Sequence, residues 1–317
     1  MTTRISLLLI FILLAGCEPA NPPEGAGEAS ARFKMVGKLE AEKLDEASGI
    51  VAGNDGVFFL HNDDGNHIFA IDASGRDLGR MKIKGAKNKD WEDITRVIGE
   101  EGPILVIGDT GDNHARRKKV SLYFVKEPAS SEYQDKLEVL HPLKVRYEDG
   151  PRDVEAMAYD PASDMILFLS KRDRPPRLYG IPMDLALWED ELDAVFLGEV
   201  PGFRPPTRAD ILGNPKRGLW VSQPTGMDIS ADGRTAAVIT YRSLYVFQRE
   251  DDETWAEAFQ REPVEYLGPP GLHDEGVGFS HDQQSIYVVT ERRPAPLYRL
   301  DHVGAGHARD VLQVPER

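Results

Sequence analysis

Five times along the chain one short pattern returns: an acidic or small polar residue, a brief apolar strand, a tight turn and a more hydrophobic strand. It reads Glu46-Ala47-Ser48-Gly49-Ile50-Val51, then Trp91-Glu92-Asp93-Ile94-Thr95, then Val154-Glu155-Ala156-Met157-Ala158. Gly226-Met227-Asp228-Ile229-Ser230 and Asp274-Glu275-Gly276-Val277-Gly278 complete the series. Aligned on Ser48, Glu92, Glu155, Met227 and Glu275, the spacings are 44, 63, 72 and 48 residues. Second strands follow at Val57–Leu60, Ile104–Ile107, Met165–Leu169, Thr235–Ile239 and Ser285–Val289. Third strands are expected at Ile68–Ile71, Val120–Val125, Leu178–Ile181, Leu244–Phe247 and Leu297–Leu300, with weaker fourth strands such as Ala194–Val200 and Val264–Leu267. Four strands per repeat at this period are the signature of an all-β fold, a β-propeller.

Five repeats predict five blades. The long spacing contains an extra segment, Pro201–Pro224, in which a degenerate sixth blade could hide. Phe33–Leu39 is expected to supply the outer strand of the last blade and close the ring, and short helical insertions are expected at Asp184–Leu192 and Asp251–Phe259. Two packed sandwiches are the competing fold, but their strands would not reset to the same acidic start each time.

The chain has 317 residues, with 53 Asp+Glu against 38 Lys+Arg and a formal net charge of −15. That acid excess argues against a nucleic-acid partner, because sequence-independent affinity for phosphate backbones comes from Lys and Arg. The single cysteine, Cys17, excludes a disulfide framework.

Cys17 has its own context. A short polar start with Arg4, an unbroken apolar run from Leu7 to Ala15, and Leu14-Ala15-Gly16-Cys17 resemble a bacterial lipoprotein signal peptide. The run is too short for a comfortable transmembrane span, which takes about 20 apolar residues. The resemblance implies cleavage before Cys17 and lipid on its sulfur and new amino terminus. Residues 1–16 would then be the signal peptide and 17–31, Pro-rich and without apolar periodicity, a tether. Residues 32–317 would form a single propeller domain, held by its lipid on the periplasmic or extracellular side of a membrane in a bacterial cell envelope.

The motifs Glu46-Ala47-Ser48-Gly49, His61-Asn62-Asp63-Asp64-Gly65, Asp90-Trp91-Glu92-Asp93 and Gly108-Asp109-Thr110-Gly111-Asp112-Asn113 resemble bacterial secreted β-propeller proteins. These are the ones grouped with the SdiA-regulated and esterase-like phytase propellers. Asp153-Val154-Glu155-Ala156 with Ser170-Lys171-Arg172, and His273-Asp274-Glu275-Gly276 with Thr290-Glu291, extend the likeness to about residue 300. These short motifs carry no catalytic assignment that transfers. A weaker likeness is to five-bladed calcium-activated nucleotidases, which also begin blades with carboxylates around a central calcium; here Met227 stands where a polar residue would complete the ring.

In a propeller the first strand of each blade starts, and the second returns, on one face. Glu46, Ser48, Glu92, Asp93, Glu155, Asp228 and Glu275 should therefore meet the strand-end residues around one funnel mouth. Those strand-end residues include Asn62, Asp63, Asp64, Asp109, Asp112, Asn113, Lys171, Arg172, Tyr241, Arg242, Glu291, Arg292 and Arg293. Converging carboxylates repel unless protonated or bridged by a cation. Hard oxygen donors without a His/Cys cluster point to Ca²⁺ ahead of Mg²⁺, with Glu46, Glu92, Glu155 and Glu275 as the expected ligands. The competing role for such acids is to accept backbone N–H groups of neighbouring blades.

Two functions fit these residues. One is a scaffold that binds an unidentified ligand or protein at its funnel face. The other is a metal-dependent hydrolase of phosphoesters, esters or lactones. There Asp63 or Asp109 would act as general base, and Lys171, Arg242 and Arg292 would stabilise developing negative charge. No Gly-x-Ser-x-Gly elbow and no phosphate-binding glycine loop is present.

Overall fold

The computed structural model describes residues 33–269, 274–291 and 294–301. Cys17 and the segments expected as signal peptide and tether lie outside the described residues, as do His273, Arg292 and Arg293.

The described residues form five four-stranded antiparallel units in chain order. The first holds β2 (Ala47–Ala52), β3 (Val57–Asn62), β4 (His67–Asp72) and β5 (Asp77–Lys84). The second holds β6 (Asp93–Gly99), β7 (Gly102–Asp109), β8 (Val120–Lys126) and β9 (Lys136–Tyr147). The third is β10 (Val154–Asp160), β11 (Met165–Ser170), β12 (Arg177–Pro182) and β13 (Glu191–Glu199). The fourth is β14 (Pro224–Ile229), β15 (Thr235–Thr240), β16 (Ser243–Gln248) and β17 (Val264–Leu267). In the fifth, β18 (Asp274–Phe279), β19 (Ser285–Thr290) and β20 (Pro296–Asp301) are completed by β1 (Lys34–Lys38), paired antiparallel to β20. The expected outer strand from Phe33–Leu39 is thus in place.

The first strand of each unit packs against the first strand of the next, in the order β2, β6, β10, β14, β18, and β18 packs against β2. These inner strands lie between neighbours on both sides, so β10 is buried almost throughout, whereas the outer strand β9 alternates exposed and buried residues. That arrangement is a β-propeller. Strand β9 also pairs in parallel with β5 and with β13, tying the outer edges of three units together.

The core among the described residues is four apolar layers, each between consecutive sheets. Phe124, Met157, Phe168 and Tyr179 fill one, and Met227, Tyr245, Phe247 and Phe259 another. Each fully buried side chain of this size contributes about 1.5–3 kcal/mol. The inner strands approach closely: a Cβ on Gly226 would lie 2.7 Å from the Glu275 carbonyl oxygen, and one on Gly276 would strike the Ser48 carbonyl.

Two expectations are corrected here. Residues 201–223 contain no strand; they carry the short helix α2 (Arg208–Gly213) on the face where β13 ends and β14 begins. The helical insertions around it are single turns, α1 (Met183–Ala186) and α3 (Trp255–Ala258), and residues 191 and 192 already belong to β13. At residues 191 and 192, pairing with β9 claims positions that the amphipathic pattern assigned to a helix.

Candidate functional site

Each inner strand but β6 has a register shift near its start, between Ala47 and Ile50, Val154 and Ala156, Pro224 and Gly226, and Asp274 and Gly276. The residues within these shifts include Ser48, Glu155, Thr225 and Glu275, and Glu92 occupies the matching place just before β6. A bulge re-aims the side chain it carries, and all five residues are buried. The fourth position is therefore Thr225, two residues before Met227. Sequence similarity among the starts of the units misplaced that register, because Met-Asp-Ile imitates the acid-led pattern. Met227 is instead a core residue, matched by Met157 in the third sheet.

The residues directly after the second strands form a companion set: Asp63, Thr110, Lys171, Tyr241 and Glu291. The Lys171 ammonium donates to the Glu155 carboxylate and, at 2.9 Å, to the Tyr241 hydroxyl. Burial opposes its charge, but Glu155 and Glu275 more than offset that and hold its pKa well above the ordinary lysine value. Glu155 is pushed up to about 7 by burial, with Lys171 pulling the other way and Asp153 adding to the rise. Burial raises Glu92 and Glu275 well above the carboxylate range, reinforced for Glu92 by Glu155 and Asp90 and for Glu275 by Glu291.

Glu92, Asp153 and Glu155 each present a carboxylate oxygen, all within 4.8 Å of one another, and all three residues are buried. Asp153 is further held by Arg172 at 2.5 Å and by the Asp112 backbone N–H at 2.8 Å. Asp153 was missed as a ligand; its signal is the Asp-x-Glu spacing at the head of β10. Lys171 thus stands as a resident cation among more carboxylates than it can neutralise.

The other expected site residues fall elsewhere. Glu46 groups with Asp63 and Asp64 within 4.8 Å on the first sheet, apart from the Glu92 cluster and more exposed. There burial and Glu46 push Asp63 up to about 7. Asp109 is committed to its own loop: it lies 3.0 Å from the Arg117 guanidinium and accepts the Asp90 N–H at 3.0 Å. Arg242 binds Asp210 at 2.8 Å and the Arg204 carbonyl, which fixes the 201–223 segment in place. Arg217 from that segment lies 3.5 Å from Glu291 and over the Tyr241 ring, so the segment overhangs the mouth.

Backbone capping between sheets is real, and it falls to different acids. Asp93 Oδ2 accepts the N–H groups of Met157 at 2.8 Å and Met227 at 3.1 Å, and Asp228 accepts that of Phe279 at 2.8 Å. Burial nonetheless raises Asp93 well above the carboxylate range and Asp228 to about 7. The residue at the bulge faces the mouth, and these capping carboxylates tie the inner strands together below it.

No protein-family model matches the chain, and no curated protein matches it. Solved structures are similar at low identity. A gluconolactonase from Xanthomonas campestris superimposes with a TM-score of 0.46 at 10% identity, covering 86% of this chain and 90% of that one. A streptogramin B lyase gives 0.43 at 10% identity over 86% and 97% of the two chains. Virginiamycin B lyase from Staphylococcus aureus gives 0.43 at 10% identity over 86% and 100%. Likenesses this distant carry no activity to the chain.

Proposed function

We propose that this protein is a lipid-anchored β-propeller of the bacterial cell envelope that holds a divalent cation at its axial mouth and uses that face to bind a ligand or protein. The observation that supports it is the buried group of Glu92, Asp153 and Glu155, whose oxygens lie within 4.8 Å of one another. Carboxylates that close, out of water, must take up protons or a cation. An all-oxygen donor set fits Ca²⁺ first and Mg²⁺ second. Lys171 and Arg172 neutralise part of the charge, and burial raises Glu92 and Glu275 well above the carboxylate range, as expected of acids left without a cation. Anchoring through Cys17 would keep this face in the envelope; among the described residues no helix is long and apolar enough to cross a membrane.

The test is metal analysis and calorimetric Ca²⁺ titration of the purified full chain beside a Glu92→Gln, Glu155→Gln double variant. Stoichiometric binding lost in the double variant is expected; equal metal content in both would overturn the reading. Mass spectrometry of the mature amino terminus tests the anchor, which requires acylated Cys17 as the first residue.

A second reading, a metal-dependent hydrolase, draws on Asp63, whose rise to about 7 suits a general base at neutral pH. Chelator-sensitive turnover of phosphoesters or lactones, lost in Asp63→Asn, would favour it over the scaffold.

A further inference from the structure

The segment between β13 and β14 exposes four apolar side chains on the axial face: Ile211 at 36%, Leu212 at 69%, Leu219 at 51% and Trp220 at 44%. They are held together. Gly218 is buried against the backbone of α2, where a Cβ would lie 2.6 Å from Ile211 Cα and strike the Asp210 carbonyl. Ile211-Leu212 and Leu219-Trp220 are therefore neighbours. The patch is also rigid: Thr207 caps α2 through Asp210, Arg242 binds Asp210 at 2.8 Å, and Arg174 donates to the Leu219 carbonyl at 3.0 Å.

The charge around the patch runs against that of the chain. In a protein of net −15, residues 200–223 carry Arg204, Arg208, Lys216 and Arg217 against a single acid, Asp210. Arg204 pairs with Glu265 and Arg217 with Glu291, whereas Arg208 and Lys216 are exposed with no ion pair among the described residues. The loop between β7 and β8, which opens on the same face, adds exposed Arg116 and Lys118.

We infer that this patch is a membrane-docking surface, which seats the axial face of the propeller on an anionic lipid bilayer. Leu, Ile and Trp side chains enter the headgroup boundary, where the amphipathic indole is most at home. The exposed Arg208 and Lys216 beside them are attracted to anionic lipid. The acid excess lies in the remainder of the chain, which the same surface would repel on balance. Only the presence of a bilayer within reach rests on the proposed anchor. From Cys17 to Lys34 the chain can span up to about 60 Å, which leaves the axial face free to turn toward the membrane.

The test uses the full chain with phosphatidylcholine vesicles whose acyl chains are brominated, with and without phosphatidylglycerol, and reads tryptophan quenching. Quenching confined to the anionic vesicles, weakened by salt and absent in Trp220→Phe is expected. Arg208→Gln with Lys216→Gln should raise the vesicle concentration needed by about tenfold or more, and Leu212→Ser with Leu219→Ser, both exposed, should abolish the quenching without affecting folding. Equal quenching in neutral vesicles, undiminished quenching in Trp220→Phe, or quenching that disappears instead in Trp188→Phe would overturn the inference. Shielding of Trp220 by soluble polyglutamate but not by vesicles would overturn it in favour of an acidic protein. A chain that does not co-sediment with neutral vesicles counts against the anchor alone, since docking is read from quenching in the anionic ones.

Discussion

The carboxylate of Asp93, at the start of the second sheet, accepts the backbone N–H of Met227 in the fourth sheet at 3.1 Å. The same oxygen takes the N–H of Met157 in the third sheet at 2.8 Å, so one side chain ties three inner strands together. Each buried N–H left without an acceptor costs about 1–3 kcal/mol, so Asp93→Ala should destabilise the protein by about 2–5 kcal/mol. Asp93→Asn keeps an acceptor oxygen and should lose less; urea unfolding of both variants measures the difference.

Lys171 competes with any cation for the same carboxylates. Removing its charge in Lys171→Met should tighten Ca²⁺ binding by at least about tenfold while lowering the stability of the metal-free protein. Calorimetry with parallel thermal melts checks both halves. Weaker Ca²⁺ binding in this variant would mean that the ammonium supports the site instead of occupying it.

Stability should depend on pH in an unusual direction. Burial pushes Glu155, Asp63 and Asp228 up to about 7 in the fold and raises Glu92, Glu275 and Asp93 well above the carboxylate range, against ordinary values near 4 in the unfolded chain. The folded state therefore holds more protons than the unfolded one across that interval, and unfolding releases them. Stability falls as pH rises from about 4.5 to 7, and the favourable contribution is complete only below that window. His61, lowered to about 4 by burial, works in the opposite sense between 6.5 and 4 and blunts the trend. In chelator the melting temperature should be higher at pH 5 than at pH 7.5, and added Ca²⁺ should restore more at pH 7.5, where its ligands are charged.

Gly276 marks the contact between the last inner strand and the first. A methyl group there would strike the Ser48 carbonyl, which is backbone and cannot rotate away. Gly276→Ala should cost about 1–3 kcal/mol as an overpacked contact. A circular-dichroism melt of that variant unchanged from wild type would show that the two strands separate without loss.

The second and third strands were legible because they are continuous apolar runs, and the structure keeps nearly the same bounds. The outer strands β5 and β9 were not, since Asp77-Leu78-Gly79-Arg80 and His141-Pro142 mix polar, glycine and proline residues that only pairing with neighbours makes extended. The carboxylates Glu92, Glu155 and Glu275 could be picked out because an acid recurs at the head of successive inner strands. Glu46 was drawn in by the same rule and lies elsewhere, because the bulge in β2 presents Ser48. Asp93 was grouped with the funnel acids, yet a shift of one residue along the strand turns its carboxylate to the neighbouring backbones. Arg242 and Asp109 show the remaining difficulty: both have the right place in the repeat, and each is consumed by a local partner that no periodic pattern reveals.

The pairing of β1 with β20 joins residues as far apart as Lys34 and Asp301, 267 positions along the chain. Among the described strands, synthesis finishes β1 first and its partner β20 last. Until then the final sheet lacks its outer member, and β1 waits as an unpaired edge open to other chains. The last-made described strand thus completes its sheet with the first-made one, and any event that delays β20 prolongs the interval in which β1 is vulnerable to aggregation.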